Sequence, residues 1–259
     1  MYKNARGVIL AGGNGLRLRP LTEVTNKHLL PVFDLPMVMH PINTLKSIGI
    51  KHICIVTSAE YIANFMGYLR DGEKFGVRFT YKVQEKPRGI ADALLQARDF
   101  FNNEDKVVAI LGDNIFERVV APKIALNDDF SYLFLKEVRG LNRRRFGIAS
   151  LDKNGKVVRI DEKPQKPDSN YAVTGLYIYP NDVFNIIGHL KPSSRGELEI
   201  TDVNNHYLKE KKLKIIKIKG FWIDAGTQES LLEASVLRAK EIDLAMFNKI
   251  KKEIFKKRN

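Results

Sequence analysis

The sequence predicts an α/β fold, a Rossmann-like mixed and mainly parallel sheet flanked by helices, and three observations carry that expectation. Apolar β-branched runs alternate with helical periodicity through the first half, the first run stops at a cluster of glycines, and the runs shorten past residue 130.

Taken in order, Val8-Ile9-Leu10 within Gly7–Leu10 has the composition of a buried strand. Met37–Ser47 follows with helical spacing, then the strand candidate His52–Thr57, helix Glu60–Arg70, strand Val77–Val83, helix Ala91–Phe101 and strand Lys106–Leu111. Such alternation implies a parallel sheet covered on both faces. Tyr132–Glu137, Ile148–Leu151, Val157–Glu162 and Ala172–Tyr179 form a mixed β layer built onto the same sheet, with turn signals at Lys153-Asn154-Gly155 and Pro164 to Asn170. Helical pattern returns at Asp182–His189, Ile200–Glu210 and Gln228–Lys240. The simplest organisation is one domain over residues 1–259, with a nucleotide-binding half to about residue 130, an acceptor half over 131–240 and a basic amphipathic helix over 241–259.

Composition narrows the function classes. The 44% hydrophobic content supports a sizeable core, and no stretch approaches the roughly 20 apolar residues of a membrane span. MYKNARG has no leader-like apolar region, so a cytoplasmic protein without membrane attachment is expected. The single cysteine, Cys54, sits in the apolar run Ile53-Cys54-Ile55-Val56 and reads as a buried structural thiol. A net charge of +13 suits nucleic acid or small polyphosphates, but much of the excess lies in the basic C-terminal stretch and no helix-turn-helix, zinc-finger or RNP pattern accompanies it.

The glycines after the first strand carry more information. Gly12, Gly13 and Gly15 are followed by Leu16-Arg17, which excludes a Walker A loop, and Leu18 occupies the third glycine position of the dinucleotide fingerprint. A plain glycine turn is the bland alternative. Against it, glycines let backbone N–H groups face an anion, and Arg17 and Arg19 add fixed positive charge. Lys27, in Asn26-Lys27-His28-Leu29-Leu30-Pro31, places an ammonium within reach of the same loop, where it would neutralise a leaving pyrophosphate.

Leu10-Ala11-Gly12-Gly13-Asn14-Gly15-Leu16-Arg17-Leu18 with Lys27-His28-Leu29-Leu30-Pro31 resembles the signature of the sugar-phosphate nucleotidylyltransferases, their thymidylyltransferase branch most of all. The resemblance continues in order through Tyr81-Lys82-Val83-Gln84, Gly89-Ile90-Ala91, Leu111-Gly112-Asp113-Asn114, Glu162-Lys163-Pro164, Tyr171 to Tyr177, Arg195 to Asp202 and Trp222 to Thr227. It implies the nucleotide-diphospho-sugar transferase fold and the reaction of dTTP with glucose-1-phosphate to give dTDP-glucose and pyrophosphate. UTP or another sugar-1-phosphate is the alternative, and a non-catalytic nucleotide-sugar sensor or a nucleic-acid-binding protein the reading from a different class.

By the same resemblance, Arg17, Lys27, Asp113, Lys163 and Asp224 carry catalysis, and Asp113 and Asp224 share a magnesium ion. Leu10, Ala11, Gly12, Gly13, Gly15, Arg17, Gln84, Gly89, Gly112 and Asp113 bind the nucleotide, with Gln84 on the base edge. Phe146, Gly147, Glu162, Lys163, Val173, Arg195 and Trp222 bind the sugar phosphate, although core packing is an equal reading of Trp222. No general base is required, because a phosphate monoester already carries nucleophilic oxygens at neutral pH. The five histidines form no metal-ligand pair at helical spacing and read as structural or surface residues. Two positions depart from the family pattern: Leu16 stands where a threonine is common and Phe146 where a tyrosine is usual. A homo-oligomer, dimer or tetramer, is expected, and the chain ends soon after Gln228–Lys240, before the helices that serve the tetramer and regulatory site in longer members.

Overall fold

The computed structural model describes residues 5–103, 105–117 and 128–242. The predicted C-terminal basic helix, apart from its first two residues, lies outside the described residues.

The first half builds the parallel core. Strand β1 (Ala5–Ala11) leads through a loop of three short 3-10 turns and a small hairpin, β2 (Pro31–Val32) and β3 (Leu35–Pro36), into α1 (Met39–Ser47). Then come β4 (His52–Thr57), α2 (Ile62–Leu69), β5 (Arg78–Val83), α3 (Ile90–Leu95) and β6 (Lys106–Leu111). β1 lies between β4 and β6, parallel to both, in registers that run from Gly7 opposite Ile53 and from Ala5 opposite Lys106. β5 extends the parallel set beyond β4. A strand buried on both faces has no polar side to alternate, which is why Val8 to Ala11 and Ile53 to Val56 are continuous apolar runs.

The second half adds antiparallel strands. After β7 (Asn114–Phe116) come β8 (Ser131–Glu137), β9 (Gly147–Leu151), β10 (Val157–Glu162), β11 (Tyr171–Tyr179), α4 (Val183–Gly188), α5 (Ile200–Lys209), β12 (Leu213–Lys217), β13 (Trp222–Asp224) and α6 (Gln228–Glu241). β11 joins the halves: one edge carries β8, while the other pairs with β9 at Tyr171–Ala172 and with β6 at Leu176–Tyr179. Against β8 the strand shifts register between Val173 and Tyr177, and on the other edge the gap between the β9 and β6 pairings opens a cleft.

Helices α3, α4 and α5 cover one face of the sheet around Leu10, Val56 and Tyr179, and α1 and α2 cover the other around Ile9, Ile55 and Phe65. Each such aliphatic side chain contributes roughly 1.5 to 3 kcal/mol on leaving water. A third cluster, Val32, Met37, Ile115, Ile223 and Ala234, packs α6 onto the β7–β13 ribbon. Cys54 is buried, and burial pushes its thiol up to about 12, as expected of a structural cysteine. Among the described residues no helix is long and apolar enough to cross a membrane.

One expectation is corrected, and one strand is additional to those expected. The helix expected over Ala91–Phe101 stops at Leu95, where Ala97 and Phe100 bond three residues back and tighten the chain into a 3-10 turn. That turn sets the two adjacent rings edge to face, 5.1 Å apart, with Phe101 also against Phe184 and Phe100 under the Arg6 guanidinium. The segment Leu213–Lys217, whose sequence shows no clear periodicity, is a strand parallel to β8.

Candidate active site

The cleft at the carboxyl ends of β1 and β6 has a volume of about 420 Å³. Open α/β sheets bind ligands at such strand ends. One wall is the loop after β1, with Leu10, Gly12, Gly13, Arg17 and Lys27; the facing wall carries Phe146, Gly147, Glu162, Lys163 and Val173. Gln84 and Gly89 close one end, and Asp113, Trp222 and Asp224 stand between the walls.

The glycine loop is dictated by contact distances. A Cβ on Gly12 would lie 2.8 Å from Gln84 Oε1, and one on Gly13 would lie 3.3 Å from the Lys27 side chain. Gly15 is left-handed, with φ of 64°, and starts the turn that carries Arg17. Ala11, Gly15 and Gly112 do not reach the cleft surface; they shape it from behind, Gly112 by admitting the buried His28 ring, whose Cδ2 would be 2.6 Å from an added Cβ. Asn26 caps the short turn at Lys27 by accepting from the His28 backbone N–H, and it also lies 2.7 Å from His28 Nδ1. Burial lowers the His28 imidazole to about 3, with the neighbouring Lys27 adding to the effect, so the ring is neutral at physiological pH.

Asp113 and Asp224 arrive from opposite directions. Asp113 follows β6; Asp224 ends β13, which is held antiparallel to β7 with Asp224 opposite Asn114. Both carboxylates approach Gly226, where an added Cβ would be 2.8 Å from Asp224 Oδ1, 2.9 Å from Arg17 Nη2 and 3.6 Å from Asp113 Oδ2. Their titration differs. Burial acts to raise Asp113, but the Lys27 ammonium, which donates to its Oδ2, and the Asn114 amide hold the carboxyl well below the usual range. Asp224 is raised by burial and by the negative charge of Asp113, against the opposing pull of Lys27, Arg145 and Arg17.

Asn114 braces this junction. Its Oδ1 accepts from the Gly175 N–H at 2.8 Å and from the Trp222 indole N–H at 2.6 Å, joining β7, β11 and β13. Trp222 also packs on Phe146 with ring centroids 4.9 Å apart, so it is both a core residue and part of the cleft wall.

On the facing wall, Glu162 ends β10 and accepts from Thr201 Oγ1 at 2.6 Å. Lys163, next in sequence, has a positive φ of 42°, an uncommon conformation for a residue with a side chain, and its N–H donates to Phe146 O. Arg195 does not line the cleft. Its guanidinium is held on Glu199 by bonds of 2.8 Å, with Glu162 Oε1 at 3.3 Å, so it stands at the rim and ties Glu162 to the loop before α5.

A family model for nucleotidyl transferases matches residues 6–241. The chain belongs to the nucleotidyl transferase family. Within that family it is 43% identical over 236 residues to glucose-1-phosphate thymidylyltransferase of Neisseria meningitidis, covering 89% of this chain and 81% of the relative. The Mycolicibacterium smegmatis enzyme of the same name is 42% identical over 240 residues, covering 89% and 81%. A Bacillus anthracis protein described as a glucose-1-phosphate thymidylyltransferase, solved with a sucrose, superposes with a TM-score of 0.85 at 47% identity, covering 90% of this chain and 94% of its own. A UDP-glucose pyrophosphorylase solved with UDP-glucose, at 24% identity and a TM-score of 0.79 over 92% and 99% of the two chains, shares the fold.

Several residues lining the cleft escape sequence reasoning. Arg145, 3.2 Å from Asp224 Oδ1 and stacked over Phe146, reads in sequence as part of a surface run Arg143-Arg144-Arg145. Asn114 and Thr201 lie inside recognisable motifs, but their partners are far away in the chain. Tyr177 lines the floor and gives no signal beyond the apolar pattern of its strand.

Proposed function

We propose that the protein transfers a thymidylyl group from dTTP to glucose-1-phosphate, giving dTDP-glucose and pyrophosphate. The observation that carries this reading is the convergence of Asp113, Asp224 and Arg17 at Gly226, between a glycine loop on one wall and Glu162-Lys163 on the other. Two anionic reactants can meet there only if charge is screened and the attack held in line.

The donor set suits Mg²⁺. Among the described residues no group of three or more His, Cys, Asp or Glu side chains could hold a metal, whereas two convergent carboxylates leave most of an octahedral shell to phosphate oxygens and water. Bound between Asp113 and Asp224, the ion would supply Lewis-acid stabilisation of the charge developing at the α-phosphate. Gly12 and Gly13 let the backbone approach the triphosphate, Arg17 and Lys27 neutralise the departing pyrophosphate, and Gln84 with Gly89 meets the base. Lys163 screens the sugar phosphate, and Glu162, oriented by Thr201 and Arg195, accepts from sugar hydroxyls. Gly147, Val173, Phe146 and Trp222 shape the sugar pocket. The protein works in the cytoplasm as a homo-oligomer; exposed Leu232 and Val236, one turn apart on α6, support association.

The test is pyrophosphate release with glucose-1-phosphate and Mg²⁺, comparing dTTP, UTP, CTP, GTP and ATP, each with and without the sugar phosphate. Sugar-dependent release strongest with dTTP is expected; preference for UTP moves the assignment to uridylyl transfer, and silence with all five overturns it.

A further inference from the structure

Gln84 and Asp92 form a buried pair at the base-side end of the cleft. Asp92 is the third residue of α3, where an acidic side chain favours the helix dipole. That role needs no burial, yet Asp92 is 2% exposed, and no side chain caps the helix at Gly89. Both carboxylate oxygens point sideways instead. Oδ1 lies 3.0 Å from Arg88 Nη2, and Oδ2 accepts from Gln84 Nε2 at 2.7 Å.

A carboxylate only accepts, so it dictates which end of the Gln84 amide faces it. The same Nε2 also donates to Gly89 O at 3.2 Å, which commits both amide hydrogens to the protein. Oε1 is left on the loop side, against Gly12, with no hydrogen-bond partner among the described residues. Turning the amide over would set Oε1 against the Asp92 carboxylate and the Gly89 carbonyl, leaving buried acceptors opposed and unpaired.

We propose that Asp92 is a positioning residue that fixes the Gln84 amide with its oxygen toward the base, so that the site selects a base edge carrying a ring N–H and rejects cytosine. This rests on the proposed use of the cleft as a nucleotide site. Thymine and uracil both carry a ring N–H where cytosine carries an acceptor nitrogen, so the device separates dTTP and UTP from CTP and does not separate dTTP from UTP. Without the carboxylate the amide is free to present either end, as an unrestrained glutamine does.

The test is equilibrium binding of dTTP and CTP, each with Mg²⁺ and without sugar phosphate, to the full chain by calorimetry, with glucose-1-phosphate turnover measured in parallel. Asp92→Leu is expected to lower the dTTP-to-CTP affinity ratio about tenfold or more, the worth of one matched hydrogen bond against a mismatched one. Asp92→Asn, which keeps one accepting oxygen, lowers it less and serves if the leucine variant does not fold. In a Gln84→Leu background, Asp92→Asn leaves the ratio where Gln84→Leu alone puts it, and the KM for glucose-1-phosphate stays within twofold throughout. A ratio unchanged in both Asp92 variants, a proportional weakening of both nucleotides, or a parent protein with no preference for dTTP over CTP overturns the assignment. A parent that prefers dTTP but releases no pyrophosphate overturns the proposed reaction and leaves the Asp92 assignment to be decided by the binding ratios.

Discussion

The two walls of the cleft are built on different principles. The wall after β1, the proposed nucleotide wall, is mainly backbone: Gly12, Gly13 and Gly15 bring the main chain close, and its shape is set by what their missing Cβ atoms would strike. The facing wall, the proposed acceptor wall, is mainly side chain, a relay in which Arg195 and Thr201 hold Glu162 while Phe146 packs on Trp222. A triphosphate is recognised well by fixed N–H groups and charge, which need little adjustment. Sugar hydroxyls demand directed acceptors, and those must be oriented by neighbours. The aspartates follow the same division: Asp113 is neutralised by Lys27 on the nucleotide wall, while Asp224, on the ribbon, is held up by burial and by Asp113.

The sharpest way to break this comparison is at its junction. Asp113→Asn and Asp224→Asn should each lower Mg²⁺-dependent turnover on the order of 10³-fold; near-native activity in either variant removes that carboxylate from the metal role. Next in size, Lys27→Ala should lower kcat about 10²-fold, by losing both the charge opposite the pyrophosphate and the partner of Asp113. If its loss shows mainly in the KM for sugar phosphate, the division between walls is wrong.

A stability measurement examines the nucleotide wall from behind. The His28 pKa is lowered in the fold to about 3, so between that value and its unfolded 6.5 the unfolded chain binds the extra proton. Its neutral ring therefore costs nothing above pH 6.5, and stability is lost as pH falls through the window, by about 2 kcal/mol between pH 6.5 and 5 for this group. Denaturant unfolding at the two pH values should show that slope, and His28→Gln should lose it. The smallest expected effect is on the acceptor wall. Thr201→Val should raise the KM for glucose-1-phosphate roughly three- to tenfold, one hydrogen bond's worth, while the nucleotide KM holds. Equal changes in both would make Thr201 a general structural residue.

Much of this was legible in sequence. β4, β6 and β10 fall on their expected boundaries, because a continuous apolar run or a clear turn marks each. β7 and β13 were not legible: three residues carry no period, and each is a strand only because the other lies beside it. β12 carried no legible signal in the sequence either; it is short, with three of its five residues partly buried and two exposed, and among the described residues it pairs only with β8. Among site residues, the glycine loop and both aspartates were visible inside ordered motifs. Arg145 and the bracing role of Asn114 were not, since their partners Asp224 and Trp222 lie 79 and 108 positions away.

By itself the sequence determined the α/β class, the loop that must lack Cβ atoms and the inventory of charged groups, since periodicity and side-chain size act locally. Only the tertiary structure decided that Asp224 meets Asp113, that Arg195 serves Glu162 at the rim, and which end of Gln84 faces the cleft. Those are properties of pairs, and a hydrogen bond or a like-charge contact depends on ångström distances that chain order does not contain.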